Sequence, residues 1–165
     1  MNKKEVVRVS KLLLVFTVAV YFTLVVVGNI FDYGVNYAWV KNVLNMGSTF
    51  EGNNFMWRAI ENPMIHNIFY WIIIIWESLA GLCCWIGSFS MYKNLKKNSN
   101  NFEKSKTYGI LGLMLGLLLW FFAFITIGGE WFLMWQSEMW NGQDAAFMMF
   151  TIMGIIFLSL LIKDE

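Results

Sequence analysis

Four apolar stretches of about twenty residues each decide what this chain can fold into. They run from about residue 12 to 30, 66 to 91, 108 to 127 and 145 to 162, and none contains a lysine, arginine or aspartate. A hydrocarbon core about 30 Å thick takes about 20 residues of helix to cross. In lipid the backbone must satisfy its own hydrogen bonds, so these stretches are read as helices and not as open strands. The spacing predicts an all-α membrane protein, a four-transmembrane-helix bundle forming one membrane domain over residues 1–165. Composition agrees: 58% of the residues are hydrophobic and only 14% charged, with a net charge of +1, where soluble domains carry about 25% charged residues. That balance excludes a disordered chain and a nucleic-acid binder, and it makes the lipid bilayer the first partner.

Orientation follows from the basic residues. Lys3, Lys4, Arg8 and Lys11 precede the first span, Lys93, Lys96, Lys97, Lys104 and Lys106 flank the loop at 92–107, and Lys163 follows the last span. Only Lys41 and Arg58 fall on the other side. Both termini are therefore expected in the cytoplasm. The first apolar run is long, and Val25-Val26-Val27-Gly28-Asn29 lacks small residues at cleavage spacing, so it is read as an uncleaved span and not as a signal peptide.

The two outer segments, 31–65 and 128–144, are expected to form a helical, aromatic-rich layer on the periplasmic side. Tyr33 to Leu44 places Val35, Ala38, Trp39 and Val43 at helical spacing, which predicts a short surface helix. Asn45-Met46-Gly47-Ser48 reads as a turn, and Asn62-Pro63 as the lead-in to the second span. The second segment carries Trp131, Met134, Trp135 and Met139. Its simplest role is an interfacial anchor, with a ligand cage as the alternative. The Asn- and Lys-rich stretch from Asn94 to Lys106 is expected to be a solvated hairpin.

Asn29-Ile30-Phe31-Asp32-Tyr33, Trp57-Arg58-Ala59-Ile60 and the run from Gly128-Gly129-Glu130-Trp131 to Trp140-Asn141-Gly142-Gln143 resemble the DUF2165 family of predicted small integral membrane proteins of bacteria. The resemblance extends over essentially the whole chain. It implies a bacterial inner-membrane location and supplies no activity and no catalytic residue.

Within the spans the only charged residue is Glu77. Counted from His66 it lies eleven residues into the second span, about 16 Å down and near the bilayer midplane. An ionised group at that depth costs about 2.5–3.5 kcal/mol. His66, Tyr70, Ile73, Glu77, Gly81, Cys84 and Ser88 recur every three or four residues, so they share one helix face. Tyr21 and Thr17 on the first span and Thr151 on the last fall at about the same counted depth. These four residues form the candidate intramembrane polar site. It is read either as a proton or cation relay or as a protonated glutamic acid joining helices, the latter worth about 0.6–2 kcal/mol per hydrogen bond.

Gly112 and Gly116 form a G-x-x-x-G pair, read as close packing within the bundle, with homodimerisation as the alternative. Cys83 and Cys84 are adjacent, have no further cysteine to join, and are read as structural. A single histidine excludes a multi-histidine metal site or a haem held by two histidines of one chain. His66 is read as interfacial, and Arg58 as pairing with the acids around it. Glu130, Arg58, His66, Trp131 and Trp135 make up a candidate outer-face site. No metal or cofactor is expected, and serine-nucleophile, phosphate-loop and dinucleotide motifs are absent from the sequence.

Three functions stay open. The first is a non-enzymatic accessory or interaction subunit of the inner membrane, its partner another membrane protein or a second copy of the chain. The alternative is a small ion or solute transporter or channel centred on Glu77. The third is a membrane enzyme working at the outer face.

Overall fold

The computed structural model describes residues 2–164. Helix α1 covers Lys3–Phe31, α2 Tyr33–Leu44, α3 Pro63–Asn94, α4 Ser99–Ser105, α5 Thr107–Leu118 and α6 Gln143–Leu161. The described residues contain no strand. Helix α5 continues without a break into a π-helix over Leu119–Trp131. Four of these helical rods are long and apolar enough to cross a membrane. Their outward positions are as apolar as the core: Leu24, Ile75, Leu82, Ile155 and Leu158 are all more than half exposed. Helices that are apolar all round belong in lipid.

Local signals set the helix ends. Asn2 and Glu5 form a reciprocal capping box on α1. Asn62 caps α3 by accepting from the Met64 amide, with Pro63 as its first residue. The predicted surface helix is α2, and the Asn45 side chain accepts from the Gly47 amide in the turn that follows. Val35 nevertheless points outward, and α2 buries Val40, Val43 and Leu44 instead.

Helix α3 is central, packed by α1 on one side and α5 on the other, while α6 closes the bundle against α5 and the π-helix. Glycine permits this contact. A Cβ on Gly112 would stand 2.5 Å from Cys84 Sγ, and one on Gly116 2.6 Å from Met153 Sδ. The glycine pair thus serves packing inside the bundle. The main core runs through Val15, Phe22, Ala80, Cys84, Leu113, Trp120 and Met153. A second core joins Val40, Val43, Met46, Tyr70, Ile74 and Phe132 beneath the aromatic layer.

The end that carries both termini differs from the expected solvated hairpin. Residues 99–105 form α4, and Phe102 and Lys106 are fully buried. Lys106 Nζ donates to Glu103 Oε1 at 2.7 Å and to the carbonyls of Leu160 and Ile162, and it pairs with Asp164 Oδ2 at 2.7 Å. Lys11 Nζ donates to Ile162 O at 2.6 Å and to Asp164 Oδ1 at 3.3 Å. Arg8 donates to the carbonyls of Leu95 and Lys97, with its guanidinium over the Phe102 ring. The physical reason is the end of α6, whose last carbonyls lack helical partners and recruit ammonium groups. Burial alone would push the Asp164 carboxyl up, but Lys106, the Glu103 contact and the charge of Lys11 hold it below the usual carboxylate range.

Candidate functional site

Glu77 is 2% exposed and sits where the two cores meet. Asn29, in the last turn of α1, donates from Nδ2 to Glu77 Oε2 at 2.7 Å. Asn29 Oδ1 in turn accepts from Asn36 Nδ2 of α2 at 2.6 Å, and the Tyr70 hydroxyl donates to the Asn29 main-chain oxygen at 3.1 Å. The donors run one way, from exposed Asn36 through buried Asn29 to the carboxyl group. Glu77 Oε1 accepts no hydrogen bond from the described residues, and no cationic side chain among them pairs with Glu77.

The companions expected from depth counting do not reach this carboxyl. Thr17 donates to Leu14 O and Thr151 to Phe147 O, each back-bonding its own helix on an exposed face. Tyr21 packs edge-on to Phe22 and makes no hydrogen bond to Glu77. The register explains the difference. Gly81 lies against Phe22, so Glu77, one turn further along α3, stands beside the final turns of α1. Asn29 is eight residues beyond Tyr21, about 12 Å along the helix. Glu77 is therefore near the aromatic end of α1 and not at its middle. Asn29, Asn36 and Trp120 are the members that sequence reasoning missed. Asn29 sits in a motif singled out for the family resemblance, and that was its only signal.

Glu77 faces a cavity of about 240 Å³ whose walls include Asn29, Asn36, Trp39, Tyr70 and Trp120. The π-helix brings Trp120 and Phe124 to this wall, with rings 4.8 Å apart. Its i to i−5 backbone pairing is seen where the Phe132 amide donates to Ile127 O, and such segments recur at functional sites. Trp120 is 8% exposed and its Nε1–H has no hydrogen-bond partner among the described residues. A further groove of about 240 Å³ between α1 and α3, lined by Phe22, Thr23, Gly81 and Trp85, also reaches Glu77. Toward the basic end no polar chain continues among the described residues: Ser88 back-bonds Cys84 O at 2.8 Å, and the Gly81–Phe22 and Gly112–Cys84 contacts are close.

The outer-face residues do not converge either. His66 is 1% exposed, and its Nε2 donates to Ile60 O at 2.6 Å. Among the described residues Arg58 has no carboxylate partner. It donates to Trp131 O at 3.3 Å, and its guanidinium lies 4.1, 5.3 and 4.5 Å from the ring centroids of Phe55, Trp57 and Trp131. Trp57 and Trp131 meet edge to face, as do Phe50 and Trp135. Glu130 is exposed and makes no side-chain hydrogen bond or ion pair with the described residues. The two outer segments are tied together by Ser48 Oγ donating to Ser137 Oγ at 2.8 Å and by the Phe50 amide donating to Gln136 Oε1 at 3.0 Å. Among the described residues, no three His, Cys, Asp or Glu side chains are placed to hold a metal ion.

A family model described as predicted small integral membrane protein (DUF2165) matches residues 7–163. The chain belongs to that family and is an integral membrane protein. No curated protein and no solved structure matches it.

Proposed function

We propose that this DUF2165 protein is a non-enzymatic interaction subunit of the bacterial inner membrane, with both termini in the cytoplasm. The observation that carries the reading is the cluster at the aromatic end in which half-buried Arg58 lies among exposed Phe55, Trp57 and Trp131. Trp57 is 70% exposed, and Met139 of the same layer 76%. Arginine and tryptophan grouped in this way dominate binding energy at protein interfaces. Here the arginine is held ready by rings and not neutralised by an acid, which leaves its remaining donors for a neighbour. The enzyme reading finds no support, since Glu130, Arg58 and His66 point to three different places and supply no nucleophile–base pair.

A carrier centred on Glu77 is the second reading, favoured by the cavity at that carboxyl. The apolar lining below it, with no polar chain among the described residues, argues for a binding pocket over a conduit. The subunit reading is tested by a photo-crosslinking residue at position 57 in the native membrane. A discrete product with one other protein is expected. Products with lipid alone would count against it.

A further inference from the structure

We propose that the Glu77 cavity binds the head of a membrane-borne amphiphile carrying a primary ammonium group beside an oxygen acceptor. This goes beyond the subunit reading and holds whether or not a partner protein is present.

Two polar groups of the cavity wall lack partners among the described residues. Glu77 Oε1 has no donor among the described residues, and Trp120 Nε1–H has no acceptor. Both belong to the wall of one cavity. A buried donor without a partner is costly, so a ligand offering an oxygen to Trp120 Nε1–H and an N–H to the free Glu77 oxygen engages both groups at once. Charge selects among such ligands. Asn36 and Asn29 direct their amide donors toward the carboxyl, which leaves its other oxygen to accept from a ligand. With no cationic side chain paired to Glu77 among the described residues, a cation from outside completes the site.

The walls decide which kind of cation. Trp39, Tyr70, Trp120 and Phe124 are aromatic faces, which suit an ammonium group and not a hydrated metal ion that requires several oxygen ligands. The acids Asp32, Glu51, Glu61, Glu130, Glu138 and Asp144, set against Lys41 and Arg58 alone in the two outer segments, give that end a net negative charge that draws cations. The tail has its own place. Glu77 also borders the apolar groove between α1 and α3, lined by Phe22, Val26, Val27, Leu82 and Trp85. Glu77 thus borders both a polar-walled cavity and an apolar groove.

The test uses the full-length protein in a neutral detergent, with ligand retention read by native mass spectrometry. The probes are lysophosphatidylethanolamine, lysophosphatidylcholine, which lacks ammonium N–H donors, and lysophosphatidylglycerol, which lacks the cation. One lysophosphatidylethanolamine per chain should be retained at least tenfold better than either of the others. Glu77→Gln should lower that retention at least tenfold. Ala145→Phe fills the exposed rim of the cavity without touching the carboxyl and should do the same, so the outcome does not hang on one variant's folding. Equal retention of all three lipids, or full retention by the folded Ala145→Phe protein, would overturn the proposal.

Discussion

Asn29 Nδ2 donates to Glu77 Oε2 at 2.7 Å, joining the last turn of α1 to α3 through a bond whose partners stand 48 positions apart in the sequence. It is the innermost link of a chain that begins at exposed Asn36. Asn29→Leu leaves the Glu77 carboxyl without a protein donor and should cost about 1–3 kcal/mol. The double variant Asn29→Leu/Glu77→Met removes both polar partners and should cost less than the two single changes together. Thermal unfolding in detergent of the four proteins of this cycle checks it. Additive losses would mean that the bond contributes no coupling.

Lys106 is the keystone of the basic end, fully buried and paired with Asp164. Lys106→Met leaves the Asp164 carboxylate only its longer contact with Lys11 and should cost up to about 3–5 kcal/mol, the range for removing one member of a buried pair. Exposed Lys104→Met on the same loop should change stability by less than about 0.5 kcal/mol. Denaturant midpoints of the two variants make the comparison.

The same pair predicts a pH response. The Asp164 carboxyl is held below its ordinary range in the folded protein. Its stabilising contribution is therefore complete above the unfolded value of about 3.9 and is lost as pH falls through the lowered folded value. Melting temperature should stay level from neutral pH to about 5 and fall below about 4. Asp164→Asn should melt lower at neutral pH and lose part of that acid-side fall. An unchanged acid profile would remove Asp164 from the account.

How much of this was legible in the residues follows from what each depends on. The spans and the buried face of α3 were readable because burial repeats along one helix: His66, Tyr70, Glu77, Gly81, Cys84 and Ser88 are all buried. The partner of Glu77 was not, because it depends on how far α3 slides past α1. Counting depth from each span's own end chose Tyr21 and Thr17, and the real register chose Asn29. Lys11 and Lys106 looked like solvated topology markers, and only the return of residues 162–164 beside them buries their ammonium groups. The π-helix that places Trp120 leaves no trace in apolar periodicity, since residues 119–129 are apolar or small at nearly every position.

Close helix contact gives a packing prediction. Gly112→Ala would set a Cβ 2.5 Å from Cys84 Sγ and 2.8 Å from the Ala80 carbonyl, and should cost about 1–3 kcal/mol or more through overpacking. Gly28→Ala on α1 meets nothing within 4 Å and should be neutral or stabilising by up to about 1 kcal/mol. Equal behaviour of the two variants would contradict the α3–α5 contact.

Orientation has its own check. Glu138→Cys should react with a membrane-impermeant maleimide in intact cells, and Lys96→Cys only after permeabilisation. The reverse pattern would invert the bundle and place the Arg58 cluster in the cytoplasm.

Native mass spectrometry of the protein, extracted gently from its own membrane, tests the subunit reading most directly. The expected result is a complex of fixed stoichiometry with one other protein, lost when Trp57→Ala and Arg58→Ala are combined while the chain itself stays folded. A lone monomer or homo-oligomer, or a complex indifferent to those two changes, would contradict it.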